Sequence, residues 1–316
     1  MALSNSVLAP IYFFLWYSLN IGYNIYNKKV MTALPLPLTM ATVQLGAGLL
    51  WILPLWLLNI RKKPVLSSSD YKTLLPIVFF HTLGHTLTVI SLGAGAVSFT
   101  HIVKAAEPFF STLLSAVLLN VKQPWQVNVC LAPIVGGVAL ASLKELSFSW
   151  TSFGGAMGSN VSFAIRGIFS KKLMVKPVGE NMDPANLFAV LTIMSFMSMV
   201  PVTLFFEGSQ ILPSLPAAYV AYGSETAFQL ETLYAGLFYY LYNEVAYLAL
   251  GVVDSPTTHA VGNTIKRVVV LVASTIYFKT EMTSQSILGC SIAIGGVLLY
   301  SVVKDAYASK AKAKAQ

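Results

Sequence analysis

Ten predominantly apolar stretches follow one another along the chain, at residues 8–27, 36–59, 72–95, 99–120, 124–142, 149–174, 185–206, 226–250, 257–277 and 283–303. A helix rises about 1.5 Å per residue, so roughly 20 apolar residues cross the hydrocarbon core of a bilayer. Each stretch therefore predicts one membrane-spanning helix. Short polar breaks punctuate them: Asn27-Lys28-Lys29 after the first, Arg61-Lys62-Lys63-Pro64 after the second, Gly93 and Gly95 between the third and fourth, and residues 171–184 between the sixth and seventh. Residues 207–224 read as the longest connection. The Lys310, Lys312 and Lys314 tail reads as a solvated end, and Met1-Ala2 leads almost directly into the first apolar run, so a targeting segment is expected to be either absent or already removed.

The two halves of the chain resemble each other. GGVAL at 136–140 returns as GGVLL at 295–299, Thr100-His101 as Thr258-His259, and Lys144-Glu145 as Lys304-Asp305. Five spans per half is an odd number, so the second half enters the membrane inverted. The expected fold is an all-α membrane protein of ten transmembrane helices in a 5+5 inverted repeat, residues 1–145 and 146–316. Such a plan places a site near the midplane between the repeats. It sets the fourth span against the ninth.

Composition agrees. Of 316 residues 56% are hydrophobic and 10% charged, against about 25% charge in soluble domains. The net charge of +8 is partly a topology signal. Of the 20 basic residues, twelve fall on the side of the termini: Arg61, Lys62, Lys63, Lys72, Lys122, Lys171, Lys172, Lys176, Lys304, Lys310, Lys312 and Lys314. Four fall opposite, at Lys28, Lys29, Lys144 and Lys279. That bias sets both termini on the cytosolic or equivalent side and argues against reading the charge as nucleic-acid binding. Cys130 and Cys290 each lie in an apolar run, which disfavours a disulfide.

The remaining bases, Lys104, Arg166, Lys266 and Arg267, lie within spans, together with the acids Glu107 and Glu244. Ionisable groups at that depth are costly and mark a substrate or ion path. Four bases against two acids leave an excess of +2, which calls for an anionic counter-ion. A phosphate monoester carries nearly two negative charges and several acceptor oxygens. Arg267 can grip two oxygens as a planar fork, with Lys104 and Lys266 as point charges. Lys266 and Arg267 point about 100° apart on a helix, so they reach one anion from different sides, or only one of them does.

Plainer readings stand beside these. Lys104 and Glu107 are spaced to pair on one helix face. Arg166 can snorkel or pair with Glu244. Glu107 can hold Lys104 or Arg267 when no anion is bound. His85 and His101 can be satisfied core histidines, and Phe163, Tyr239 and Tyr242 can be core packing, although a tyrosine hydroxyl on the path would suit phosphate. The predicted spans hold no aspartate, which disfavours a protease with paired intramembrane aspartates. The predominance of bases disfavours a cation or drug exporter, and ten duplicated spans disfavour a receptor. No catalytic residue, cofactor or metal is expected.

The stretches SFTHIVKAAEPFF (98–110) and THAVGNTIKR (258–267) closely resemble the plastidic phosphate translocators of the drug/metabolite transporter superfamily. The resemblance covers nearly the whole chain. It implies strict 1:1 counter-exchange of inorganic phosphate for phosphorylated compounds across the inner plastid envelope, with both termini in the stroma. It places Lys104, Lys266 and Arg267 on the phosphate. Gly84-His85 with Glu107-Pro108-Phe109-Phe110 resembles the triose-phosphate branch, whose cargo is triose phosphate and 3-phosphoglycerate. In that branch His85, Thr88, Phe163 and Tyr242 or Tyr239 line the carbon end. Ala106 and Glu244 depart from the pattern, where a larger residue and an amide are expected. The hexose-, pentose-phosphate and phosphoenolpyruvate branches and the nucleotide-sugar transporters remain alternatives. The expected moving ends are Gly93–Gly95 and residues 253–256, with bending at Pro133, Pro201 and the Gly-Gly pairs.

Overall fold

A computed structural model describes the whole chain except residues 1–4, 144, 176–177, 253–255 and 316, and omits the side chains of 5–6, 171–175, 250–251, 256–260 and 310–315. Lys144, Lys176 and the expected moving end at 253–255 thus lie outside the described residues, as do the side chains of Thr258 and His259.

The described residues are helical: α1 (Asn5–Ala33), α2 (Pro37–Leu57), α3 (Ser68–Ala94), α4 (Val97–Lys104), α5 (Glu107–Leu119), α6 (Trp125–Val129), α7 (Leu131–Ser142), α8 (Trp150–Val175), α9 (Pro184–Phe206), α10 (Gly208–Tyr222), α11 (Glu225–Val252), α12 (Pro256–Phe278) and α13 (Ser284–Ala315). The only extended pairing among them is one antiparallel bridge between Val65 and Glu180. Cys130 and Cys290 are free and buried.

Among the described residues, seven helical segments are long and apolar enough to cross a membrane, against the ten expected: Pro37–Leu57, Ser68–Ala94, Val97–Leu119, Trp125–Ser142, Pro184–Phe206, Val261–Phe278 and Ser284–Ser309. The other long helices, α1, α8 and α11, have 29, 26 and 28 residues, so length is not what separates them. Their polar positions dilute the apolar count, and many of these are turned inward: Asn20, Asn24 and Asn27 on α1, Ser152, Ser159, Asn160 and Ser162 on α8, and Glu244 on α11 are buried.

The expected span 99–120 is broken into α4 and α5. Pro108 has no N–H to give the carbonyl of Lys104, and its ring crowds that turn. Ala105 and Ala106 instead donate to the carbonyls of Ile102 and Val103 at 3.0 and 3.1 Å, tightening the end of α4. Lys104 therefore closes α4 and Glu107 opens α5, each at the helix end whose dipole favours its charge.

Residues 207–224, expected as a connection, hold α10. Glu207 precedes it and serves a second helix as well. Its carboxylate accepts from Leu38 N at 3.0 Å and from Thr39 N and Oγ1 at 2.7 Å each, satisfying the open start of α2. The chief packing partners are α1 with α11, α3 with α8, and α7 with α13. The last pair approaches through glycines: a Cβ on Gly137 would meet the backbone of Ala293 and Gly289, and one on Gly289 the backbone of Ala141 and Gly137. Gly137→Val is expected to force these helices apart, lowering the melting temperature and the yield of folded protein. Gly136→Val serves as the control, because a Cβ there meets no atom within 4 Å.

Candidate functional site

The helix break sets the site's starting geometry. Lys104, at the end of α4, donates to Ser159 Oγ at 2.9 Å and Thr88 Oγ1 at 3.3 Å, and its ammonium lies 4.7 Å from the centre of the Phe163 ring. Glu107, at the start of α5, accepts from Arg267 Nη2 at 2.7 Å. The proposed local pair between Lys104 and Glu107 does not form, because the break at Ala105-Ala106 removes the continuous helix that would align them.

Arg166 is also part of this cluster. Its guanidinium carbon lies 4.7 Å from the same Phe163 ring, and Nη1 meets His81 Nδ1 at 2.9 Å. A guanidinium can only donate, so His81 Nδ1 accepts and its proton sits on Nε2. That nitrogen faces the Tyr239 hydroxyl at 3.4 Å. Tyr239 lies against the His85 ring, with centroids 4.0 Å apart, and packs with Tyr23 and Tyr242. Lys266 closes the circuit, its ammonium 4.7 Å from Trp16 and 5.9 Å from Tyr242. His101, one turn before Lys104, meets Asn24 Oδ1 at 3.0 Å.

All nine residues singled out in the sequence (His85, Thr88, Lys104, Glu107, Phe163, Tyr239, Tyr242, Lys266 and Arg267) therefore fall in one connected region built by α1, α3, α4, α5, α8, α11 and α12. Lys104, Lys266, Arg267 and Glu107 lie within electrostatic reach of one another, and Arg166 reaches Lys104 and Glu107. His85 Nε2 is buried without a hydrogen-bond partner among the described residues.

Two expectations need correction. Arg166 does not pair with Glu244. Glu244 instead forms a two-pronged pair with Arg61, at 2.5 and 3.2 Å, which ties the α2–α3 loop to α11. Glu244 is therefore removed from the interior count, and the excess there is +3 rather than +2: Lys104, Arg166, Lys266 and Arg267 against Glu107. Among the described residues, Arg267 alone of these four bases has a carboxylate partner. Ser159, His81 and Trp16 were missed. Ser159, Phe163 and Arg166 recur at helical spacing on α8, and His81, His85 and Thr88 on α3, so a search for polar residues sharing one helix face would have found two of the three. No comparable signal marks Trp16.

The described residues form a helical membrane protein with its cations gathered inside, facing one another across several helices. The chain belongs to the Triose-phosphate Transporter family, whose profile matches residues 7–301. It is a transporter and not an enzyme. It is 46% identical to phosphoenolpyruvate/phosphate translocator 1, chloroplastic, of Arabidopsis thaliana, over 92% of this chain and 71% of that protein. It is 45% identical to the triose phosphate/phosphate translocator of non-green plastids of Brassica oleracea var. botrytis, over 92% and 72%. Identity to the chloroplastic triose phosphate/phosphate translocator of Flaveria pringlei is 41%, over 94% and 72%. A solved crystal structure with 13% identity superposes with a TM-score of 0.53, covering 96% of this chain and 100% of that one, a likeness of fold alone.

Proposed function

We propose that the protein exchanges inorganic phosphate for phosphorylated three-carbon compounds, one for one, by alternating access in the inner envelope of a plastid. The observation that carries this reading is the interior excess of +3. A phosphate monoester supplies nearly two negative charges, and a carboxylate one more, so 3-phosphoglycerate nearly balances the site. Triose phosphate and inorganic phosphate come close. Lys104, Lys266 and Arg267 take the phosphoryl oxygens, and His85, Thr88, Phe163, Tyr239 and Tyr242 face the carbon end. Glu107 holds Arg267 when the cargo is absent. Relatives named for triose phosphate and for plastids support the substrate and the compartment.

The same charge balance favours a second reading, phosphoenolpyruvate as the organic partner, for which other relatives are named. Its phosphoryl and carboxylate groups carry a similar total charge.

The mechanism follows from ten crossings arranged as two inverted halves, with α1, α8 and α11 crossing despite their polar content. The packing supports this. Under a 5+5 repeat the first span corresponds to the sixth and the third to the eighth, so the α1–α11 contact becomes the image of α8–α3. The α4–α12 and α7–α13 contacts map onto themselves. The basic bias sets the termini in the stroma.

Purified protein in vesicles preloaded with phosphate, offered a panel of phosphorylated compounds, tests the reading. Uptake of triose phosphate and 3-phosphoglycerate is expected to exceed that of hexose phosphates and UDP-sugars. Preference for phosphoenolpyruvate over triose phosphate selects the second reading. Preference for hexose phosphates or UDP-sugars contradicts both.

A further inference from the structure

Beside the Arg267–Glu107 pair a groove runs between α5, α12 and α13. It has a volume of about 190 Å³ and is lined by Glu107, Ser111, Asn263, Arg267, Tyr300 and Lys304 among others. Its walls are fixed by a hydrogen bond between Thr112 Oγ1 and the Tyr300 hydroxyl, 2.7 Å, which joins α5 to α13.

Tyr300 and Ser301 on these walls are already hydrogen-bonded, but several other donors are not fully committed. Lys304 gives one hydrogen bond to Tyr300, 3.1 Å, and has no carboxylate partner among the described residues. An ammonium has three donors. Arg267 Nη1 is buried with no partner among the described residues. The side chains of Ser111 and Asn263 make no hydrogen bond among them either. The only acid on the described walls, Glu107, is already engaged by Arg267. Lys266 and Arg267, neighbours on α12, part company here: Lys266 rests on Trp16 and Tyr242, while Arg267 lines the groove. Lys304 lies about 30 Å along α13 from its start, at the 1.5 Å rise of a helix, so the groove leads from the central ion pair towards the side of the chain termini.

We propose that this groove is a second anion site, which holds a phosphate-bearing ligand between Lys304 and Arg267 before Arg267 delivers it to the central cluster. The proposal rests on the phosphate-exchange reading for its purpose but not for its binding chemistry. One recognition, a phosphoryl group gripped by an ammonium, a guanidinium and an amide, fits either free phosphate or an anionic lipid headgroup.

The test uses the whole protein. Phosphate binding is measured in detergent, and phosphate exchange in phosphatidylcholine vesicles with and without phosphatidylglycerol. For Lys304→Gln, binding in detergent is expected to weaken roughly tenfold. In both vesicle types the half-saturating phosphate concentration on the side of the termini is expected to rise by a similar factor, with the maximal rate unchanged. Lys304→Arg restores both. An effect confined to phosphatidylglycerol vesicles assigns the groove to the headgroup. Unchanged binding and half-saturation in every condition, or a fall in maximal rate alone, overturns the site. Wild-type protein that binds phosphate but does not exchange it contradicts the transport reading, while the Lys304 comparison still decides the groove.

Discussion

Phosphate exchange is expected to fall by on the order of 100-fold or more in Lys104→Ala and in Arg267→Ala. The two losses arise differently. Lys104 gathers Ser159, Thr88 and the Phe163 ring around one ammonium. Its removal takes away a charge with no carboxylate partner, so nothing is left unpaired and the fold should hold. Arg267 is paired to Glu107, and truncating it strands a carboxylate inside the protein, at a cost of about 3–5 kcal/mol. Arg267→Ala alone therefore confounds transport with stability. In Arg267→Ala/Glu107→Gln the pair is withdrawn together. That double variant is expected to recover folded yield while exchange stays lost. Wild-type exchange by the double variant would show that Arg267 does not carry the anion, and wild-type exchange by Lys104→Ala that Lys104 does not.

Arg166→Gln is expected to separate the cargoes. It lowers the interior excess from +3 to +2, which still suits a phosphate monoester but not a phosphate with a carboxylate. The half-saturating concentration of 3-phosphoglycerate should rise by roughly tenfold or more, the value of one charge-assisted hydrogen bond. Dihydroxyacetone phosphate should be affected several-fold less, and Arg166→Lys should keep part of the discrimination. An equal effect on both compounds would mean that Arg166 only holds Phe163 and His81 in place. Such a result would leave the carboxylated cargoes without a dedicated cation.

Much of the region was legible because intramembrane charge is costly, and Lys104, Glu107, Lys266 and Arg267 stand out against apolar neighbours for that reason. The fate of Glu244 was not legible. Its partner, Arg61, comes from a loop 183 positions away, and no local spacing announces such a contact. The break between α4 and α5 was readable in principle from Pro108, yet an apolar run looks continuous to a hydropathy count. The helices α1, α8 and α11 read as apolar runs in the sequence, although buried polar residues such as Asn20, Asn24 and Ser159 lower their hydropathy. Ser159 went unnoticed because serine is ordinary in a Gly/Ser-rich helix. Only its spacing from Phe163 and Arg166 gives it away.

The Lys29–Glu231–Tyr222 cluster and the Arg61–Glu244 pair join α11 to other elements at positions 231 and 244. Among the described residues Lys104, Arg166 and Lys266 have no carboxylate partner. Moving such a group through a dry, closed intermediate costs several kcal/mol per uncompensated charge. Under the exchange mechanism proposed above, a bound dianion or trianion offsets that cost, so the site changes sides only when loaded.

Efflux of labelled phosphate from preloaded vesicles, with and without phosphate or 3-phosphoglycerate outside, measures this directly. The account predicts rapid efflux with an outside partner and, in its absence, a rate near that of protein-free vesicles. Efflux at equal rates in both conditions would contradict it.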